Sequence, residues 1–321
     1  MRSVRVAFML LGIMLVFSLI AGCGDDDDDA NQPTATQAPP TATEDVAGDD
    51  PTITTGSPTA TIPLPTPDTT ATSTESLAAT ATEADEVTLN VYFIRDEHLT
   101  VGHRTIPHTL AVGTAAMQAL LAGPSQFESE LGFSSAIPEG SDLLGLTIED
   151  GIATVDLSAE FESGGGSFSV SARLVQVIYT LTQFPTVDAV EFLLEGEPVG
   201  IFSGEGVVID GPAGRASGSL LPAIFVESVA AGDSVSSPVT IAGTANTFEA
   251  TFIARIVTDA GEVLTEQVVT ATSGSGTRGT FEATISFEAD GATPGKLVVF
   301  EYSARDGSPI NVIEIPVTLQ P

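Results

Sequence analysis

Cys23 is the only cysteine among 321 residues, and this limits the possible folds more than any other single feature. One thiol cannot form an internal disulfide, and it cannot supply the thiolate set of a structural zinc site. Whatever part of the chain folds must do so by burying apolar surface alone, which requires segments of regular hydrophobic periodicity. Such segments occur only beyond residue 86.

The place of Cys23 accounts for its being alone. Arg2 and Arg5 precede an apolar run from Val6 to Ile20, and the small residues Ala21 and Gly22 stand directly before the cysteine. The run is about fifteen residues long, short of the roughly 20 that a spanning helix needs, and its charge order is that of an export signal. Ile20-Ala21-Gly22-Cys23 resembles the lipobox of bacterial lipoproteins, with Ile20 where leucine is commoner and Leu19 one place earlier. The resemblance implies a signal peptide over 1–22, a diacylglycerol on the Cys23 sulfur, and a mature chain held by that lipid on the extracytoplasmic face of the cell membrane.

Residues 23–86 comprise this cysteine and a Thr-, Pro-, Ala- and Asp-rich stretch in which Ile53, Ile62, Leu64 and Leu77 are isolated. Nothing there buries enough surface to offset the entropy of ordering, so the segment is expected to be a disordered tether. The 63 residues from Gly24 to Glu86 would span about 45 Å as a flexible coil and about 190 Å as polyproline II. The acidic run Asp25–Asp29 is read as a solvated charge cluster that keeps the tether extended. The formal net charge is −33, with Lys296 the single lysine, so the chain repels nucleic acid and anionic lipid head groups and both are poor partners.

Periodic order begins at Val87. Val87, Leu89, Val91 and Phe93 alternate with polar residues as a strand does. A loop carrying His98, His103 and His108 is expected next, then a helix over Thr109–Ala122 ended by Gly123-Pro124. Leu144, Leu146 and Ile148 alternate, Asp150-Gly151 supplies a tight turn, and Ile152–Leu157 returns as the partner strand. The spacing of Val170, Leu174, Val177, Ile178 and Leu181 predicts a helix over Ser169–Phe184, with Ser171, Gln176, Thr180 and Gln183 off its apolar face. Val187–Leu194 forms another strand, and Gly200–Ile209 a further one. This order predicts an α+β domain over 87–210 in which two helices cover a mixed sheet.

Four segments carry a family resemblance: Leu120-Leu121-Ala122-Gly123-Pro124, Ala136-Ile137-Pro138-Glu139-Gly140, Asp150-Gly151-Ile152-Ala153-Thr154-Val155-Asp156-Leu157-Ser158, and Tyr179-Thr180-Leu181-Thr182-Gln183-Phe184. Together they resemble the GerMN domain of sporulation and spore-germination lipoproteins, and Arg104 matches a position where that family often has arginine. Read physically, each motif is architectural. One ends a helix, one turns a hairpin, and Asp156 ends a strand where its carboxylate could cap the following loop.

Residues 204–222 are rich in Gly, Ala and Ser and read as a connector, with 211–221 as the linker proper. Their few large apolar side chains lead to the expectation that 87–210 and 220–321 fold separately. From 222 to 321 the periodicity is two almost throughout, with strands starting near Ile224, Val239, Thr247, Val263, Thr280, Lys296 and Ile310. This predicts an all-β immunoglobulin-like sandwich, here without a cysteine pair or tryptophan. Ser237–Ala245 and Phe248-Glu249-Ala250 resemble the immunoglobulin-like domain that follows GerMN in spore-germination proteins.

The residues propose no catalytic set and no cofactor. His98, His103 and His108 are the weak metal candidates, because five-residue spacing places neighbours on opposite faces of a strand and about 140° apart on a helix. Gly132–Ala136 lacks the last glycine of a nucleophile elbow, and Ser163–Ser167 lacks the lysine of a phosphate loop. A glycosidase pair among the many carboxylates is the enzymatic alternative. The expected function is therefore a non-catalytic binding or scaffold lipoprotein of the cell envelope. The resemblance implies sporulation or germination assemblies, with a sensor-kinase accessory role or wall-polymer binding as alternatives. Its expected partners are envelope proteins or wall polymer, and the membrane through Cys23. Mass spectrometry of the mature N-terminus should find a diacylated Cys23; an intact Met1 or a bare Cys23 would refute this, and Cys23→Ala should release the protein from the membrane.

Overall fold

The computed structural model describes residues 85–202, 206–215, 218 and 220–321. The apolar run, Cys23 and the tether up to residue 84 lie outside the described residues. Among the described residues no helix is long and apolar enough to cross a membrane.

Strand β1 (Glu86–Arg95) pairs antiparallel with β2 (His98–Pro107) in a hairpin of its own. The segment expected as a histidine-bearing loop is thus a strand, with Leu99 and Val101 buried. Its turn is Asp96-Glu97, both residues in the left-handed region at φ 50° and 63°. A type I′ hairpin turn needs positive φ at both positions, and Asp-Glu meets this without the glycine that usually marks such a turn. At Asp150-Gly151 the glycine is present, and the expected turn forms with φ 50° and 81°.

Helix α1 (Val112–Leu121) ends as its sequence requires: Gly123 takes φ 78°, and its N–H donates to the Leu120 carbonyl at 3.0 Å. A short helix α2 (Gln126–Glu130) follows. Strands β3 (Leu143–Glu149) and β4 (Ile152–Leu157) form the second hairpin, and α3 (Ser167–Leu181) crosses over to β5 (Ala189–Leu194), parallel to β4. The two-residue β6 (Glu197–Pro198) completes a mixed sheet of order β3-β4-β5-β6, and a small hairpin of β7 (Ile201–Phe202) and β8 (Val207–Val208) follows. Helix α1 packs on β1 and β3, and α3 on β1 and β5, so the helices join the first hairpin to the mixed sheet.

The outer edge of β1 is closed by side chains rather than by another strand. The Gln183 amide accepts from Asn90 N–H at 2.8 Å and donates to the Asn90 carbonyl at 2.7 Å. Thr180 accepts from Tyr92 N–H at 3.4 Å, and Gln176 donates to the Tyr92 carbonyl at 2.9 Å. At Ile94 a reciprocal pair with Ser134, 2.8 Å each way, completes the row. Gln176, Thr180 and Gln183 stand at helical spacings of four and three, so one stripe of α3 and its end faces β1. These are the residues the apolar periodicity set aside. Gln176 and Thr180 are buried because a buried strand edge must have its hydrogen bonds met.

Beyond residue 220 the seven expected strands all form, as β9 (Ile224–Val226), β11 (Val239–Ala245), β12 (Thr251–Thr258), β13 (Val263–Thr270), β14 (Gly279–Ile285), β15 (Thr293–Tyr302) and β16 (Pro309–Gln320). A short β10 (Ser234–Ser236) lies parallel to the end of β16. The sheets are β10-β16-β15-β12-β13 and β14-β11-β9, and between them Phe252 meets Phe281 edge-to-face at 4.8 Å. Strand β12 starts four residues later than the periodicity suggests, because Phe248–Ala250 is a tight turn with Glu249 and Ala250 at positive φ. On the five-stranded sheet the sole lysine, Lys296, donates to Glu314 at 2.7 Å.

The two domains do not part at the connector. Leu220, Leu221, Phe225 and Ala230 belong to the apolar core of the first domain, and Leu99 N–H donates to the Leu220 carbonyl at 2.7 Å. All described residues fall in one compact unit, and the two segments expected to fold separately share a seam. Short connector residues left the cores looking independent, yet two leucines and the first strand of the sandwich join them.

Thr180→Val keeps the shape of the side chain but orphans the buried Tyr92 N–H. It is expected to lower stability by about 1–3 kcal/mol, whereas Thr154→Val on the opposite sheet face should change it by less than about 0.5 kcal/mol. Urea denaturation of both variants checks this.

Candidate functional site

The histidines considered as metal ligands are held apart. His98 opens β2 with its Nδ1 2.7 Å from the Asp96 carbonyl oxygen, and His103 Nδ1 lies 2.8 Å from Asp233 in the second domain. His108 follows the strand and donates its backbone N–H to the Asp85 carbonyl. Among the described residues no three His, Cys, Asp or Glu side chains come together as a metal site. Odd spacing along a strand sends successive histidines to opposite faces.

Arg104, two positions after Gly102 on β2, reaches Glu128 with both terminal nitrogens, at 2.8 and 2.6 Å. Glu128 also closes a capping box on α2: its carboxylate accepts from Ser125 N–H at 2.6 Å while Ser125 Oγ accepts from Glu128 N–H at 3.2 Å. The Glu128 side chain is only 3% exposed. Burial alone would raise its pKa, but the Arg104 and Ser125 hydrogen bonds and the Arg104 charge hold the carboxyl below its ordinary range. A Cβ at Gly102 would collide with Glu128 Oε1, so the absence of a side chain there makes room for the ion pair. Sequence reading passed over this motif, although Ser125-Gln126-Phe127-Glu128 carries the S-x-x-E signal of a capping box directly after Gly123-Pro124.

Arg173 on α3 is 1% exposed and has carbonyl partners rather than a carboxylate. Its terminal nitrogens donate to the carbonyls of Phe161 at 2.5 Å, Ser163 at 3.0 Å and Gly164 at 2.9 Å. Burial lowers its pKa. The glycine run 163–167, weighed as a phosphate loop, therefore turns carbonyl oxygens inward onto a cation of the chain itself. Gly164 and Gly165 adopt φ 61° and 82°, which lets the loop fold over the guanidinium.

A third cluster, around the buried Tyr92 hydroxyl, ties the domains together. The Tyr92 hydroxyl donates to Glu227 Oε1 at 2.6 Å, and Arg215 meets the same oxygen at 2.7 Å. Arg215 also stacks over the Tyr179 ring at 4.5 Å and donates to Thr182 at 2.9 Å. Burial first, then the Glu227 carboxylate, drive the Tyr92 phenol far above its usual range, so it remains a neutral donor. Beside this seam lies a cavity of about 110 Å³ whose walls include Arg95, His98, Leu99, Phe133, Val229 and Ile315. Ligand sites run to roughly 300–1,000 Å³, so this space is a packing seam rather than a binding pocket.

The remaining motif residues hold architecture as well. Asp156 accepts from Gly196 N–H at 2.9 Å, so it caps the β5–β6 turn across the sheet instead of the loop that follows its own strand. Ser158 and Asp142 exchange hydrogen bonds at 3.0 Å. What stays open is the face of the mixed sheet away from the helices, with Thr147, Glu149, Thr154, Asp156 and Glu191 exposed or half-buried, and the outer edge of β3.

Two family models match the two domains. Residues 90–200 match the Germane family model, described as sporulation and spore germination, and residues 223–308 match Gmad2, an immunoglobulin-like domain of bacterial spore germination. Among solved structures, the first GerMN domain of the sporulation protein GerM from Bacillus subtilis is 26% identical; the match covers 40% of this chain and 98% of that one, with TM-score 0.33. A Clostridium perfringens protein described as a lipoprotein is also 26% identical, over 40% of this chain and 88% of its own, with TM-score 0.31. The tandem GerMN domains of GerM are 15% identical over 73% and 60% of the two chains, with TM-score 0.36. No curated protein gives a significant match.

Glu128→Ala removes a cap and an ion pair together. The expected loss is about 3 kcal/mol, at the low end for a broken buried pair because Arg104 keeps some contact with water. Since the folded pKa is depressed, the contribution is complete above the unfolded value of about 4.3 and is lost as pH falls through the lowered folded value. Stability curves of wild type and Glu128→Gln, measured in urea, should therefore converge in acid and diverge near neutrality.

Proposed function

We propose that this chain, which carries a GerMN domain followed by an immunoglobulin-like domain of the bacterial spore germination type, is a non-catalytic binding protein of the cell envelope. In this reading the lipid on Cys23 holds it to the extracytoplasmic face of the membrane, and sporulation or germination assemblies are its setting. The observation that carries the proposal is a contrast within the first domain. Arg104, Glu128 and Arg173 are each committed to joining segments of the fold, while the acidic sheet face and the β3 edge stay open. Ionisable groups whose charged ends are already engaged inside a scaffold have little left to offer a substrate. Contact with wall polymer is a second reading, favoured by the exposed rings of Phe248 and Tyr302 on the sandwich.

A partner of so acidic a chain presents basic groups, and the cross-linker follows from that chemistry. With one lysine here, amine-to-amine reagents have little purchase, whereas a carbodiimide joins this chain's carboxylates to the lysines of a neighbour. Cross-linking of the anchored protein in its host should capture specific envelope proteins. Yields should fall as salt rises toward about 1 M, where the screening length is about 3 Å. Yields independent of salt would remove the electrostatic part of the proposal, and hydrolysis of wall polymer by the purified chain would overturn the non-catalytic part.

A further inference from the structure

Strand β3 forms one end of the mixed sheet, and among the described residues no strand lies on its far side. The turn at Asp150-Gly151 determines what that edge presents. In a two-residue hairpin the closing pair, Glu149 and Ile152, exchanges hydrogen bonds, and so do the alternate pairs Thr147–Thr154 and Gly145–Asp156. The N–H and C=O groups of Leu146 and Ile148 consequently point away from β4. Strand β1 has the same kind of row on Asn90, Tyr92 and Ile94, and there three side chains and Ser134 close it. On β3, among the described residues, no side chain or backbone group bonds to the outward row at Leu146 and Ile148.

The usual protections of an edge are also missing from β3, which has no lysine and no proline, and its one bulge lies at the far end between Leu143 and Gly145. Leu144 and Ile148 are 51% and 40% exposed. Charge around the edge has a single sign. Strands β3 to β5 contain Glu149, Asp156 and Glu191 and no basic residue, and Asp142 and Asp150 flank β3.

We propose that the open edge of β3 accepts an added strand from a partner protein, an extended segment in which apolar side chains alternate with lysine or arginine. The free backbone row supplies the hydrogen bonds, Leu144 and Ile148 meet the apolar side chains, and the acidic sheet face meets the basic ones. A second copy of this chain is a poor occupant, because β3 against β3 brings together only acidic flanks. The inference rests on the binding function proposed above and names its surface and the chemistry of its partner. The sandwich edge β13 is the internal comparison. Its Glu266 is already held by Arg255 on the neighbouring strand, whereas β3 to β5 carry no basic residue.

The test uses the full chain and a capped Lys-Val-Lys-Val-Lys-Val peptide, followed by hydrogen exchange of individual amides. The peptide should slow exchange saturably at Leu146 and Ile148. A version N-methylated at alternate residues keeps the charge and side chains but lacks the bonding N–H groups, and it should not protect. Ile148→Lys should weaken binding by about tenfold or more, and Val268→Lys on β13 should not. Protection at another site, equal binding by the N-methylated peptide, or no protection at millimolar peptide would overturn the proposal. If Ile148→Lys fails to fold, the N-methylated comparison alone decides. Host partners cross-linked equally to wild type and to Ile148→Lys would overturn the edge while leaving association intact; failure to capture any partner would overturn association, and the peptide measurement would still decide the edge.

Discussion

The outer edge of β1 is the constraint around which the first domain is arranged. A strand buried on both faces, with Leu89, Val91, Tyr92 and Phe93 all inside, cannot leave one row of backbone groups unmet. Here the partner is a helix. Gln176, Thr180 and Gln183 meet the row at Asn90 and Tyr92, and their helical spacing fixes both the rotation of α3 about its axis and its register along β1. Once α3 is so placed, its apolar stripe falls on β4 and β5, and Tyr179 is brought to the seam where Arg215 and Glu227 meet Tyr92. The hairpin, the crossover helix and the second domain thus share one set of hydrogen bonds.

The same physics separates interior from surface elsewhere. Glu128 and Arg173 are buried charges of opposite sign solved in different ways, one by a bidentate arginine and a helix cap, the other by a ring of carbonyls. Both solutions depend on glycine at one position: Gly102 leaves space for a carboxylate, and Gly165 lets a loop close over a guanidinium. The acidity of the chain is accordingly a property of its surface, where it bears on which partners can approach.

Much of this fold was legible in the sequence, because most of it is written in apolar periodicity and glycine turns. The sandwich strands could be located from alternation alone, since each has one buried and one wet face, as at Phe281, Ala283 and Ile285 against Glu282 and Thr284. The misses share a cause. Strand β2 hides behind a turn without glycine, and Gln176 and Thr180 read as solvent-facing because a helix residue that satisfies a strand edge looks like any polar residue. The seam depends on Leu220 and Leu221, two residues in a Gly- and Ser-rich segment, too few to register as periodicity. The capping box at Ser125 and Glu128 was readable and identifies α2, but its link to Arg104 is a tertiary fact that spacing does not contain.

The seam also bears on how such proteins can be assembled by recombination. A crossover within the Gly- and Ser-rich connector would separate Leu220, Phe225 and Ala230 from the core they complete, and would leave Tyr92 and Arg215 facing a foreign strand without Glu227. Each half would inherit an exposed apolar scar, and the first a buried Tyr92 hydroxyl without its acceptor, a cost large enough for selection to see. The two folded domains should therefore be inherited as a pair, with exchange tolerated in the low-complexity segment ahead of residue 85. For this chain the unit of exchange is then the couple of domains rather than either module alone.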